Sequence, residues 1–281
     1  MQAKPLVVQT LLDALPYIRK FYGEMIVIKY GGAAQIEERL KDKFAQDIAL
    51  LSLVGMKPVV VHGGGRSITE LSQRLGVKAE FRDGLRVTDR DALRVAQMAL
   101  IGEINTEIVS LLNDHGAKAI GVNGKDGGFV KASAIENLGF TGEVRDVNPD
   151  LLLKLINDRF VPVVAPIASA IEPSQPGFNI NADAMASAIA GAIRAKKAIF
   201  MTDTAGVLDK DKNLLRSLSR ADIERLKADG TIAGGMIPKV DSALEALKYG
   251  VDKAHILDGR VEHALLLEIF TSEGVSTEIT R

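Results

Sequence analysis

Ile26-Val27-Ile28-Lys29-Tyr30-Gly31-Gly32 and Val59-Val60-Val61-His62-Gly63-Gly64-Gly65 are the stretches that decide the fold. Each is an apolar, β-branched run that empties into glycines ahead of a helix-like segment, as a strand buried on both faces does. Consecutive glycines at the mouth of a helix leave backbone N–H groups bare, a setting suited to a phosphate or a carboxylate. Two such mouths close together, one beside a lysine, suggest two anions held side by side. A phosphoryl donor and its acceptor would fit.

Outward from these runs the chain alternates strands with helical segments over 37–54, 66–75, 89–114 and 149–158, the pattern of a parallel sheet with helices on both faces. The expected fold is α/β, an open, mostly parallel sheet sandwiched between helices. A lobe boundary is placed near residue 195, giving residues 1–195 and 196–281, with an Ala-rich helix from Asp183 bridging them. Ahead of the first strand, Val7, Val8, Leu11, Leu12, Leu15, Ile18 and Tyr22 recur at helical spacing, and Pro16 should kink that helix. It either covers its own domain or exchanges with another subunit.

Composition narrows the function. Apolar residues make up 47% and charged residues 25% of 281, with a net charge of −1 and no cysteine. There is no basic stripe for nucleic acid, no disulfide and no thiolate site. The longest apolar stretch, Phe160 to Ile171, is broken by two prolines and falls short of the about 20 residues a bilayer needs. Neither a membrane nor a secretory signal is expected, and the cytoplasm is the default location.

Several motifs fail. His62-Gly63-Gly64-Gly65 lacks a downstream G-x-S-x-G elbow, so an esterase is excluded. P-loop, G-x-G-x-x-G and protein-kinase signatures are absent. His115 and His263 lack the spacing of metal ligands. What remains is a set of charged and polar residues at strand ends and helix mouths. Lys29 ends an apolar strand, where burial of an ammonium is costly without an anion. Lys239 follows Gly234-Gly235-Met236-Ile237-Pro238 near a helix N-terminus, where its charge opposes the dipole unless an anion lies between. Arg86 is suited to a bidentate carboxylate clamp or to pairing with a neighbouring acid. Asp183, after Asn179-Ile180-Asn181-Ala182, serves either as a helix cap or as the carboxylate that positions two lysines.

In this order and spacing Lys-Tyr-Gly-Gly, His-Gly-Gly-Gly, Gly-Leu-Arg-Val-Thr-Asp, Asn-Ile-Asn-Ala-Asp, Thr202-Asp203-x-x-Gly206-Val207-Leu208 and Gly-Gly-Met-Ile-Pro-Lys-Val resemble the amino-acid kinase superfamily over nearly the whole chain. The likeness is to its arginine-pathway branch, which phosphorylates the γ-carboxylate of N-acetyl-L-glutamate with ATP. That resemblance implies one eight-stranded open sheet, with the acyl-amino-acid over the N-terminal lobe and ATP over the C-terminal lobe. It implies that Gly64, Gly65, Arg86 and Asn179 hold the acceptor, and that Lys29 and Lys239 flank the transferring phosphoryl group, oriented by Asp183. Gly31, Gly32 and Gly63 would supply backbone amides, while Thr202, Asp203 and Gly206 begin the nucleotide pocket. Arginine-inhibited members form hexamers, trimers of dimers, through a kinked N-terminal helix. By that likeness Tyr17, His255, Glu268 and Gly274 surround an arginine site, and a PII-type regulator is left open.

The chemistry agrees. A carboxylate with a pKa near ~4 is already ionised at neutral pH, so no general base is needed. Transfer then rests on positioning and charge cancellation, with Mg²⁺ held by nucleotide phosphates rather than by a protein cage. Two features depart from the branch's pattern: Ala33-Ala34-Gln35 after the first glycine pair, and Gly274-Val275-Ser276-Thr277 where it continues Gly-x-Gly-Thr. The alternatives are a sister kinase acting on acetylaminoadipate, glutamate or aspartate, and a non-catalytic arginine-sensing protein.

Overall fold

The structure is a computed structural model that describes residues 3–82, 84–272 and 274–281. Its strands in chain order are β1 (Met25–Tyr30), β2 (Lys57–His62), β3 (Glu80–Arg82), β4 (Leu85–Val87), β5 (Ala119–Gly124), β6 (Val130–Ala134), β7 (Thr141–Val147), β8 (Val161–Ala170), β9 (Phe178–Ile180), β10 (Lys197–Thr202), β11 (Ser217–Ser219), β12 (Lys253–Asp258) and β13 (Thr277–Thr280). The α-helices are α1 (Ala3–Phe21), α2 (Glu38–Leu53), α3 (Gly65–Arg74), α4 (Arg90–Gln97), α5 (Asn105–Asp114), α6 (Asp150–Asn157), α7 (Ala182–Ala192), α8 (Arg220–Ala228), α9 (Met236–Lys248) and α10 (Ala264–Phe270).

The two glycine-terminated strands lie side by side at the centre of the main sheet, whose middle order is β12-β10-β1-β2-β8, all parallel. The period of two sorts their side chains. Ile26, Ile28 and Val60 face a core shared with α2, α5 and α10, and Val27, Val59 and Val61 face one shared with α7 and α9. Lys29 follows Val27 on the second face, so its strand aims it at the N-terminal ends of α7 and α9. Each hydrophobic core therefore runs along one face of the sheet and crosses residue 195, because β1 pairs with β10 from Ile26↔Lys197 to Lys29↔Phe200.

Beyond the eight strands expected, the network joins eleven. β8 runs for ten residues, and its far half pairs with β6 and β9, to which β7 is tied. Three-residue strands such as β9 and β11 are too short to show a period in sequence. The expected helix over 89–114 is continuous from Arg90 to Asp114, with a π-helical stretch at Met98–Ile104. By length and composition it is long and apolar enough to cross a membrane. Its Val95, Ala96, Ala99, Leu100, Ile104, Ile108 and Leu112 are buried against the sheet, which makes it a core helix. α1 carries Pro16 within it and leaves Leu6, Val7, Val8, Leu11 and Leu12 exposed.

Candidate active site

A cleft of about 380 Å³ lies over the C-terminal ends of β1 and β2, lined among others by Lys29, Gly31, Gly32, Gly63, Gly64, Gly65, Arg86, Asn179, Asn181 and Asp183. Crevices beyond the carboxyl ends of parallel strands are where this architecture holds ligands.

Lys29 reaches the cleft from β1, its side chain 12% exposed, and its Nζ lies 3.3 Å from Asp183 Oδ1. Asp183 is free to do this because it does not cap its helix. Asn181 is the N-cap of α7, its side-chain oxygen accepting from the amides of Asp183 and Ala184. The capping reading of Asp183 is thereby corrected: the cap sits two residues earlier, and the carboxylate is left for lysine. Lys239, in the first turns of α9, is half-buried. Burial and the charge of Lys29 pull its pKa down, while Asp183 and Asp203 push it back up. Lys29 in the cleft and Lys239 beside it thus feel each other's charge and share the carboxylate of Asp183, so an anion bound there would meet two ammonium groups already held by one acid.

The second glycine run is arranged differently. Gly63 N donates to Tyr30 O at 2.8 Å. The expectation that this amide contacts a phosphate is therefore corrected, since it is committed to pairing beside β1. Gly63 O instead accepts from Gln35 Nε2 at 2.9 Å and contacts His62 Nδ1 at 3.0 Å. His62 is fully buried, and Asn105 Nδ2 donates to its Nε2 at 3.1 Å. That bond makes Nε2 an acceptor and leaves the proton on Nδ1, so the imidazole is neutral; burial pushes its pKa down to about 4. A Cβ on Gly64 would lie 2.4 Å from Ile104 Cδ1 and 2.7 Å from Leu100 Cδ2, so the π-helical stretch leaves room only for glycine there. Sequence reasoning missed His62 and Asn105 as organisers of this turn. Gln35, flagged only as a departure from a pattern, is the side chain that ties the two turns together.

Arg86 on β4 is 7% exposed and hydrogen-bonds through Nη2 to Gly65 O (3.0 Å) and Thr69 Oγ1 (2.8 Å). Its guanidinium stacks on the Phe81 ring at 4.6 Å, and burial lowers its pKa. Among the described residues the fork is held by neutral acceptors, which keeps its charge available to a carboxylate in the cleft. Asn179, 8% exposed on β9, lines the same cleft, and its Nδ2 lies 3.5 Å from the hydroxyl of Thr88, two residues beyond Arg86.

On the other side of β1, Thr202 ends β10 and is buried, and its carbonyl accepts from Gly259 N at 2.8 Å. Asp203 reaches back to the first glycine turn, where Ala33 N donates to its Oδ1 at 2.5 Å. Next to it the Thr204 hydroxyl is buried without a partner among the described residues. Gly206 has φ +135°, and a Cβ there would meet Leu214 Cδ1 and Thr277 Oγ1 at 2.6 Å, so backbone conformation and crowding both favour glycine. Among the described residues no cluster of His, Asp or Glu is spaced to hold a metal ion.

A separate cavity of about 690 Å³ lies between α1 and the C-terminal segment, lined by Tyr17, Lys197, Glu268, Gly274 and Ser276 among others. His255, expected on its wall, is fully buried behind it. Its Nε2 contacts Lys197 Nζ at 3.0 Å and its Nδ1 contacts Glu268 Oε1 at 3.0 Å, so a neutral imidazole links an ammonium to a carboxylate. Glu268 also accepts from Val275 N, and these partners hold its pKa down at about 2 despite burial. Gly274 has φ +61°, and a Cβ there would crowd Glu268 Oε2 at 2.7 Å.

Comparison with known proteins supplies independent information. The model of the amino acid kinase family matches residues 24–258. The acetylglutamate kinase of Nautilia profundicola is 60% identical over 279 residues, covering 99% of both chains. That of Nitratiruptor sp. is 58% identical over 281 residues, again covering 99% of both. Among solved structures, the N-acetylglutamate synthase of Neisseria gonorrhoeae, complexed with coenzyme A and N-acetyl-glutamate, superposes with a TM-score of 0.83 at 24% identity. The superposition covers 98% of this chain and 63% of the synthase, and at that identity it speaks for the fold alone.

Proposed function

The chain belongs to the amino acid kinase family, and from that premise we propose how its residues carry out phosphorylation. The reaction is the ATP-dependent phosphorylation of N-acetylglutamate in arginine biosynthesis, the activity named for relatives at 58% and 60% identity over the full length. The observation that carries the assignment of roles is the Lys29–Asp183 ion pair in the cleft that also holds Arg86, with Lys239 near enough to feel both charges of that pair.

The acceptor lies over β2, with Arg86 on its α-carboxylate and Gly64, Gly65 and Asn179 around its body. Its γ-carboxylate is the nucleophile and needs no base, consistent with a neutral His62 that holds a turn instead of moving protons. Lys29 and Lys239 neutralise charge on the transferring phosphoryl group from two sides, and Asp183 fixes their orientation. The donor side falls to residues 196–281, where Asp203 and the unpartnered Thr204 hydroxyl offer polar groups to a nucleotide. A Mg²⁺ ion carried by the nucleotide phosphates would lower the charge the lysines must offset.

Regulation is a further part of the reading. Glu268 and Lys197 line this cavity together with Tyr17, and a carboxylate and an ammonium there match the guanidinium and α-carboxylate of arginine. The exposed apolar face of α1 supports exchange of this helix between dimers into a hexamer. The enzyme is placed in the cytoplasm.

The test is a coupled ADP-release assay with acetylglutamate, glutamate and acetylaminoadipate. Turnover confined to acetylglutamate is expected; absence of turnover on every carboxylate would refute the assignment.

A further inference from the structure

The first glycine turn is shaped by a residue from the neighbouring strand. Because β1 and β10 run parallel in register, the turn after Tyr30 and the turn after Thr202 emerge side by side. Gly31 is fully extended, Gly32 is left-handed at φ +71°, and a 3₁₀ turn follows from Gly32 to Gln35. Asp203 enters this turn at its third residue, where its Oδ1 takes the Ala33 N–H at 2.5 Å. A Cβ on Gly32 would lie 2.2 Å from the same oxygen. Glycine at 32 thus meets two separate demands: a backbone conformation and room for the carboxylate of Asp203, far away in sequence. Within the same turn, a Cβ on Gly31 would lie 2.8 Å from Lys29 Nζ, so Gly31 lies against the lysine. Asp203 also acts on the charges of Lys239 and Arg260.

We propose that Asp203 is a positioning residue for phosphoryl transfer. It is a clasp from the nucleotide side that holds the Gly31–Gly32–Ala33 turn in the shape that presents its amides, and Lys29 above them, to the transferring group. The inference rests on the phosphoryl-transfer reading and adds to it. In that reading Asp203 only borders the nucleotide, whereas as a clasp it sets the geometry of the step. The two roles separate kinetically. A residue that merely holds nucleotide changes the KM for ATP, whereas loss of a positioning residue lowers kcat.

The experiment compares Asp203→Ala, Asp203→Asn, Gly32→Ala and the Asp203→Ala/Gly32→Ala double variant, with kcat and both KM values measured for each. Asp203→Ala is expected to lower kcat roughly tenfold or more, with the KM for acetylglutamate little changed. Asp203→Asn keeps an acceptor oxygen and should recover most of that loss. Gly32→Ala should show at least the Asp203→Ala defect, because it adds backbone strain at φ +71° to loss of the same contact, and the double variant should be no worse than Gly32→Ala alone. If Asp203→Ala proves too unstable to assay, Gly32→Ala against Asp203→Asn reads the same contact. An unchanged kcat in Asp203→Ala, equal defects in the Ala and Asn variants confined to the KM for ATP, or additive losses in the double variant would each overturn the clasp. Should Lys29→Ala abolish turnover while Asp203→Ala retains full kcat, the clasp alone falls. If the unmodified protein releases no ADP on any carboxylate, both readings fall.

Discussion

The two glycine turns begin from nearly the same sequence form and are built in opposite ways. The turn after β1 is governed by charged side chains: Lys29 above it, Asp183 on the lysine, Asp203 in its amides. The turn after β2 is organised mainly by neutral groups, with a buried imidazole, an amide side chain and a π-helical wall; its first amide is already used in pairing, and the charge it meets is the Arg86 guanidinium on Gly65 O. A charged surround suits a step in which charge moves. A neutral, tightly packed surround suits recognition of a fixed shape. The difference teaches that a glycine-rich strand end is defined by what its neighbours contribute and not by the glycines themselves.

The comparison breaks most visibly at the lysines. Lys29→Ala or Lys239→Ala should lower kcat about 10²–10³-fold with modest change in the KM for acetylglutamate, as steady-state kinetics would show. Arg86→Ala should act chiefly on the acceptor. Loss of a buried, hydrogen-bonded charge costs about 3 kcal/mol, or about 100-fold in the KM for acetylglutamate, with the KM for ATP little moved.

Smaller effects sharpen the neutral side. Gly64→Ala would force a methyl against Ile104 and Leu100, and overpacking of this kind costs about 1–3 kcal/mol in urea unfolding. His62 gives a pH signature. Its folded pKa of about 4 lies below the ordinary 6.5, so the unfolded chain binds the proton more readily. Stability is therefore full above pH ~6.5 and falls as pH drops towards ~4, by about 3 kcal/mol in total. Asp47, pushed up to about 6 by burial, contributes in the opposite sense, its stabilisation being lost as pH rises through that value. The His62 share is thus read as the difference between the protein and His62→Gln: the gap in urea midpoint should narrow on acidification. The smallest expected change concerns the effector. Removing residues 1–20 should leave an active dimer by light scattering with a weaker response to arginine.

Much of this site was legible in the sequence, and the reasons for the rest are physical. Lys29 at the end of an apolar strand announced itself because an unpaired buried ammonium is untenable. Arg86 and the order of the motifs were equally open. The partner of Asp183 depended on which of two polar residues capped α7, and Asn181 and Asp183 both suit that position by type. His62 and Asn105 meet across 43 residues, and Ala33 and Asp203 across 170, contacts that no local pattern encodes. The commitment of the Gly63 amide follows from strand register, which glycine content does not reveal. The alternation of β1 and β2 made the central sheet readable, whereas β9 and β11, three residues each, gave no period to read.

The central claim is that the charged turn serves the phosphoryl group and the neutral turn the acceptor. The most direct test measures kcat and the KM for acetylglutamate in Lys29→Ala and Arg86→Ala under saturating ATP. The account expects a kcat defect in the first, a KM defect in the second, and little crossover between them. Equal loss of both parameters in both variants would contradict the division of labour between the two turns.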